Sequence, residues 1–203
     1  MGSCTSLWLV PSSTIASKIE RLMRISPPSA KSPSSFPRFD PHITLTTVPP
    51  STELSRLLEA IPEATSVIPV RFKSLDVGDK YFMSVYVSVH ESPELMALRT
   101  HLRQTLGERT VPPISHMSLY YIDDADREER AHVAETLRST GSVVEIADGV
   151  MLNCQPLPVE GSAAEDGNGN GLEGFDGAEI WVAKCDGHPR EWAILHKVPL
   201  CPA

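Results

Sequence analysis

Short β-branched runs alternate with helix-patterned segments along the whole chain, and proline or glycine closes nearly every one. Thr5 to Val10 is apolar and stops at Pro11, which reads as a buried strand. Ile15, Ile19, Leu22 and Met23 then recur at helical spacing behind Ser12 and Ser13, and that helix has to end before Pro27-Pro28. A Ser- and Pro-rich stretch without periodicity, residues 26 to 38, reads as a surface loop leading into Phe39-Asp40-Pro41. His42 to Val48 alternates and ends at Pro49-Pro50, and a second helix follows from Ser51 with Leu54, Leu57, Leu58 and Ile61 on one face.

Val67 to Leu75 and Tyr81 to Val89 flank Val77-Gly78-Asp79-Lys80 as an antiparallel hairpin. Ser92-Pro93-Glu94 opens a third helix with Leu95, Leu98, Leu102 and Leu106 as its buried stripe, closed by Gly107. Ile114 to Ile122 is a strand, and Asp124 to Arg138 is a charge-rich helix with Ala131, Ala134 and Leu137 inward. The acidic run Asp123-Asp124-Ala125-Asp126 suits a helix N-terminus, where carboxylates face the positive end of the dipole. Val143 to Leu152 returns as a strand, and Ala178 to Lys184 pairs with Glu191 to Val198. Between them, residues 161 to 177 hold six glycines among Asp, Glu and Asn. Ordering them would cost much entropy for little apolar burial, so the stretch reads as a mobile acidic loop. Helices that each lie between strands, together with several hairpins, favour an α+β fold over a doubly wound parallel sheet.

At 203 residues with 41% hydrophobic composition, the chain can bury one substantial core. A net charge of -8 argues against tracking a long nucleic acid, which needs a dense basic surface, but leaves room for a small anionic substrate held by a few donors. No apolar run is long enough to span a bilayer. Cys4, Cys154, Cys185 and Cys201 are scattered without a Cys-x-x-Cys pair, so reduced thiols are expected, with no structural zinc. Met1-Gly2-Ser3-Cys4-Thr5-Ser6 fits the short myristoylation pattern, although a strand starting at once leaves little free arm for an anchor.

His42-Ile43-Thr44-Leu45 and His116-Met117-Ser118-Leu119 share the order His, apolar, hydroxyl, apolar, both on predicted strands. Strand side chains alternate, so His42 and Thr44 share one face while Ile43 and Leu45 face a core, and His116 and Ser118 repeat the arrangement. Chance gives about 0.2 such matches in a chain of this composition, so two are informative. Two such pairs suit in-line displacement at phosphorus. One imidazole takes a proton from attacking water and the other protonates the leaving oxygen, while Thr44 and Ser118 donate hydrogen bonds to the non-bridging oxygens. The scheme needs no metal and no cofactor. The remaining histidines, His90, His101, His132, His188 and His196, fall at a strand end, on helices, in a turn and near the terminus, where exposure or structural use is expected. No His-Glu-x-x-His helix or Gly-x-Ser-x-Gly elbow is present.

On these residues the chain resembles the two-histidine (2H) phosphoesterase superfamily, and within it the fungal and plant cyclic phosphodiesterases. Leu7-Trp8-Leu9-Val10-Pro11, Phe39-Asp40-Pro41-His42 and Ser115-His116-Met117-Ser118-Leu119-Tyr120-Tyr121 carry the likeness, which spans most of residues 5 to 200. The resemblance implies a single bilobal α+β domain over 1–203, with two antiparallel-rich sheets and flanking helices around a central cleft. It also implies opening of ADP-ribose 1″,2″-cyclic phosphate, a by-product of tRNA splicing, and of nucleoside 2′,3′-cyclic phosphates to 2′-phosphates. His42 and His116 would be catalytic, with Thr44, Ser118 and Tyr121 binding substrate. Simple alternation puts Tyr120 beside His116, so Tyr121 reaches the site only through a bulge or twist. Trp8 on the first strand is read as stacking on a nucleobase or lining the pocket, with a core or rim aromatic as the other reading. Symmetric motifs do not say which histidine is the base; we assign water to His116 and the leaving oxygen to His42. The partner expected is a small cyclic-phosphate nucleotide and the state a cytoplasmic monomer, with a Golgi or other membrane association as the alternative by analogy to fungal relatives. Two other functions stay open: an RNA-end phosphodiesterase or ligase of the same superfamily, and a non-catalytic RNA- or nucleotide-binding module.

Overall fold

A computed structural model describes residues 2–63, 65–154 and 171–201. The strands are β1 (Cys4–Pro11), β2 (Ile43–Val48), β3 (Ile68–Val77), β4 (Val85–His90), β5 (His116–Tyr120), β6 (Val143–Ile146), β7 (Gly149–Asn153), β8 (Gly171–Leu172), β9 (Gly174–Cys185) and β10 (Ala193–Pro199). The α-helices are α1 (Ser13–Leu22), α2 (Leu54–Glu59), α3 (Pro93–Leu106) and α4 (Arg127–Ser139). The strands form a seven-stranded sheet, β1-β2-β5-β4-β3-β9-β10, and a three-stranded sheet, β6-β7-β8, with every strand pairing antiparallel. The fold is α+β, as the sequence implies.

β9 closes the larger sheet on itself. Its first residues pair with β3, and from Gly177 onward it pairs with β1, so six strands run in a ring with β10 attached outside. Gly174 and Gly177 allow the crossing. A Cβ on Gly174 would strike the Val70 carbonyl, and one on Gly177 would strike the Leu9 side chain. Residues 171–172 and 174–177, read from sequence as part of a mobile loop, are therefore strand, and their glycines serve close approach of neighbouring groups rather than freedom. The rest of that loop, 161–170, lies outside the described residues.

α3 follows its sequence signals closely. Ser92 accepts the Leu95 N–H, Pro93 opens the helix, Leu95, Leu98 and Leu102 are buried, and Gly107 ends it at φ 114°. α2 starts three residues later than its Ser51 signal and buries only Leu57, because Leu54 stays exposed. The return expected over Val143 to Leu152 is a hairpin, turned at Ala147-Asp148-Gly149 with Gly149 at φ 132°. Tyr81–Met83, expected in a strand, is a 3-10 turn. The buried Ser84 hydroxyl donates to the Tyr81 carbonyl and accepts the Ile122 N–H, which ties this turn to the end of β5.

The acidic run before α4 does more than face a dipole. Asp123 caps locally by accepting the Ala125 N–H, whereas Asp126 turns inward and accepts from Lys31 N, Ser32 N and Ser35 Oγ at 2.8, 2.9 and 2.7 Å. Those donors hold its carboxyl below the ordinary carboxylate range and pin the Ser- and Pro-rich loop to the body of the protein.

β2 and β5 each contain one extra residue at the same place. In β1–β2 the partners step from Leu7↔Thr46 to Trp8↔Thr44, skipping Leu45, and in β4–β5 from Val85↔Tyr120 to Tyr86↔Ser118, skipping Leu119. The skipped leucine stands third after the histidine in both. Beyond it the phase inverts, so Tyr120 enters the core with its hydroxyl donating to the Leu22 carbonyl, and Tyr121 emerges on the face of His116 and Ser118. Removing only that hydroxyl leaves a buried carbonyl short of a donor. Tyr120→Phe is expected to lower stability by about 1–3 kcal/mol in urea unfolding, with the core otherwise intact.

Candidate active site

β2 and β5 touch in register at one pair, Ile43 opposite Met117, and both side chains are fully buried. Because the strands are antiparallel, that pair sets His42 alongside Ser118 and Thr44 alongside His116 on the other face. All four line one cavity of about 340 Å³, together with Trp8, Tyr121, Lys80, Tyr81, Phe82 and Trp192. The structure thus brings together every residue singled out from the sequence.

The two imidazoles are oriented by the same device. Nδ1 of His42 lies 2.6 Å from the Asp40 carbonyl, and Nδ1 of His116 lies 3.1 Å from the Ile114 carbonyl, in each case two residues upstream. A carbonyl only accepts, so each Nδ1 carries the proton and each Nε2 is left with its lone pair. The approach to His116 is further fixed by Arg99, which donates to the Pro112 carbonyl at 2.7 Å and pairs with Glu91 at 3.0 Å. Glu91 in turn accepts the Ser115 hydroxyl at 2.7 Å.

Burial dominates the electrostatics. His42 is 5% exposed, and desolvation lowers its pKa to about 4, against the Asp40 hydrogen bond that favours the cation and with a further lowering from His116. His116 is also lowered, first by burial and then by the Arg99 charge, with the Ile114 carbonyl opposing. Both rings are neutral near pH 7. Burial likewise keeps the Tyr121 phenol protonated, with the Ser118 hydroxyl acting against that shift.

The hydroxyls differ. Ser118 donates to the Phe82 carbonyl at 2.7 Å, whereas Thr44, half-buried, makes no side-chain hydrogen bond among the described residues. Trp8 is 2% exposed and stacks on the His42 ring at 3.9 Å and 13°, with Trp192 at 5.6 Å. Its place is against the imidazole, which leaves no open face for a base. Tyr121 stacks in the same way on Phe39, at 3.9 Å and 11°.

Aromatics are only 6% of the chain, yet Trp8, Tyr81, Phe82, Tyr121 and Trp192 share this cavity. Phe82 is 43% exposed on the 3-10 turn, 5.8 Å from the half-buried Trp192, so both rings keep accessible surface at the mouth. Neither was identified from the sequence, which read both positions as strand, whereas Phe82 lies in a 3-10 turn and Trp192 closes another. Cys4 and Cys185 are cross-strand partners on the rim, both free thiols; the Cys185 hydrogen bond lowers the Cys4 thiol to about 6. Among the described residues no three His, Cys, Asp or Glu side chains gather as a metal site, and no helix is long and apolar enough to cross a membrane.

A family model described as cyclic phosphodiesterase-like protein matches residues 1–200. No curated protein sequence matches the chain. Among solved structures, E. coli LigT complexed with NADP+ is 14% identical, over 98% of this chain and 97% of LigT, with a TM-score of 0.50. E. coli LigT complexed with phosphate is 15% identical over the same shares, with a TM-score of 0.49. At such identity the likeness to the first is one of fold, and it runs nearly end to end. The length of the family match and the two histidine strands agree: this chain belongs to the cyclic phosphodiesterase-like family and carries the two-histidine phosphoesterase fold.

Proposed function

We propose that the protein hydrolyses the cyclic phosphate of small nucleotides, opening nucleoside 2′,3′-cyclic phosphates to 2′-phosphates and acting physiologically on ADP-ribose 1″,2″-cyclic phosphate from tRNA splicing. Within its family we place it with the fungal and plant enzymes, on the motifs quoted above. The observation that carries the reading is the convergence of two carbonyl-anchored imidazoles, each beside a hydroxyl, on one cavity.

Water attacks phosphorus as the bond to the 3′ oxygen breaks. One Nε2 takes the water proton, the protonated Nε2 of the other ring gives its proton to the leaving oxygen, and the phosphate stays on the 2′ oxygen. The hydroxyl of Thr44 is ready to donate to a non-bridging oxygen, and that of Ser118 does so by turning from the Phe82 carbonyl. Tyr121 adds a phenol kept protonated by burial. Trp8 holds the His42 ring in its plane. His42 is the harder of the two to protonate, because it is the more deeply buried. That favours His42 as base and His116 as acid, the reverse of the assignment drawn from the sequence.

His42→Ala and His116→Ala should each lower kcat on 2′,3′-cyclic AMP by about 10²–10⁴-fold in EDTA, with 2′-AMP as the wild-type product. Near-wild-type activity in either variant, or 3′-AMP as product, defeats the mechanism. A phosphodiester with a nitrophenolate leaving group needs no acid, so it should restore activity to His116→Ala by about tenfold or more relative to His42→Ala; recovery of His42→Ala instead reverses the roles. Catalysis requires one neutral and one protonated ring while both pKa values lie below 6.5, so kcat/KM should peak between pH about 4 and 6.5 and decline above that window. Over the same window the unfolded chain binds protons more readily than the buried His42 ring, so stability should fall as pH falls from 6.5 toward 4. A kcat/KM maximum above pH 7 contradicts this protonation scheme.

A further inference from the structure

A second cavity of about 310 Å³ adjoins the catalytic one, with Trp192 common to both. Arg24 from the segment after α1, Arg38 from the Ser- and Pro-rich loop and Arg190 from the 3-10 turn before β10 all line it. None of the three lies within 4.0 Å of a carboxylate among the described residues. In a chain with a net charge of -8, three guanidinium groups unclaimed by carboxylates in one cavity are a local reversal of sign.

The two cavities are joined through the backbone as well. Phe39-Asp40 lines the arginine cavity, and the Asp40 carbonyl orients His42. Arg190 rests its Nε on Nδ1 of His188 at 3.2 Å, and its charge reaches across to Tyr81 of the catalytic wall, where it opposes the rise in that phenol's pKa. By contrast, the catalytic cavity's own lining holds one permanent cation, Lys80. Glu20 and Asp40 also face the arginine cavity, so its lining is not a uniform basic surface. Guanidinium forks beside carboxylates suit a phosphate flanked by sugar hydroxyls: the forks bind phosphate oxygens in pairs and the carboxylates accept from hydroxyls.

We propose that Arg24, Arg38 and Arg190 form a second phosphate subsite, which selects nucleotides bearing a further phosphate group besides the cyclic one. The inference rests on the hydrolase reading given above and narrows its substrate class.

The test compares 2′,3′-cyclic AMP with its 5′-phosphorylated counterpart in EDTA. The added phosphate is expected to raise kcat/KM by about tenfold or more, mainly through KM, and Arg24→Ala/Arg38→Ala should bring the ratio between the two substrates back near one. A wild-type ratio near one, or a ratio the double variant leaves unchanged, overturns the proposal. A trinucleotide ending in a cyclic phosphate supplies the further phosphates as diesters; an arginine-dependent gain confined to it assigns the cavity to an RNA end and also overturns the proposal. Calorimetric titration with inorganic pyrophosphate reads the subsite without turnover. Binding weakened by about tenfold in the double variant supports it, and equal binding refutes it. Absence of hydrolysis of either mononucleotide, with arginine-dependent pyrophosphate binding retained, would defeat the hydrolase reading and leave the anion site standing.

Discussion

The pairing of Ile43 with Met117 is the contact on which the rest of the molecule depends. Two apolar side chains meet in the core where β2 and β5 touch, and the strict alternation of strand side chains then leaves His42, Thr44, His116 and Ser118 no choice but the opposite face. A slip of one residue in either strand would turn that strand's imidazole toward the core and its apolar neighbours toward the cavity, so the hydrophobic effect that fixes this register also assembles the site. Residues 74 positions apart along the chain become neighbours without any direct contact between the catalytic groups having to drive it.

Regular alternation alone would have put Thr46 and Tyr120, two residues after each hydroxyl, on the active face. The bulges at Leu45 and Leu119 change that. They turn the cavity face from even spacing to an offset of three, bringing Thr47 and Tyr121 to the cavity and sending Thr46 and Tyr120 inward. The inward pair is then used structurally: Thr46 donates to the Thr110 carbonyl and Tyr120 to the Leu22 carbonyl. Both halves therefore follow one local plan, a carbonyl-anchored histidine, a hydroxyl, a bulged leucine and a reversed phase, and the plan is legible only when the two strands are set side by side.

What the sequence made legible follows from which features are periodic. Helix α3 carries cap, proline, apolar stripe and terminal glycine together, and each signal has its own local cause, so they agree. The two histidine strands announce themselves because a period of two survives from His42 to Thr44 and from His116 to Ser118. Trp192 and Phe82 carry no such mark, since their positions at the cavity come from a 3-10 turn and a segment joining strands. The need for a bulge before Tyr121 was readable, but its counterpart at Leu45 was not. Gly174 and Gly177 misled because glycine is equally at home where a chain is free and where two backbones crowd; only the Val70 carbonyl and the Leu9 side chain distinguish the cases. Asp126 misled in the opposite sense, since one carboxylate in an acidic run looks like its neighbours until the N–H groups of a distant loop are found around it.

Closure of six strands by β9 also decides which strand of the larger sheet is left as its border. Among the described strands of the larger sheet, β10 is the one with a single partner strand, so its outer side presents a row of amide and carbonyl groups to a passing chain. That border is short and mostly exposed, breaks register between Ile194 and His196, carries Lys197, and ends in Pro199, which has no amide hydrogen to offer. Charge, irregularity and proline along that border discourage strand-to-strand aggregation there.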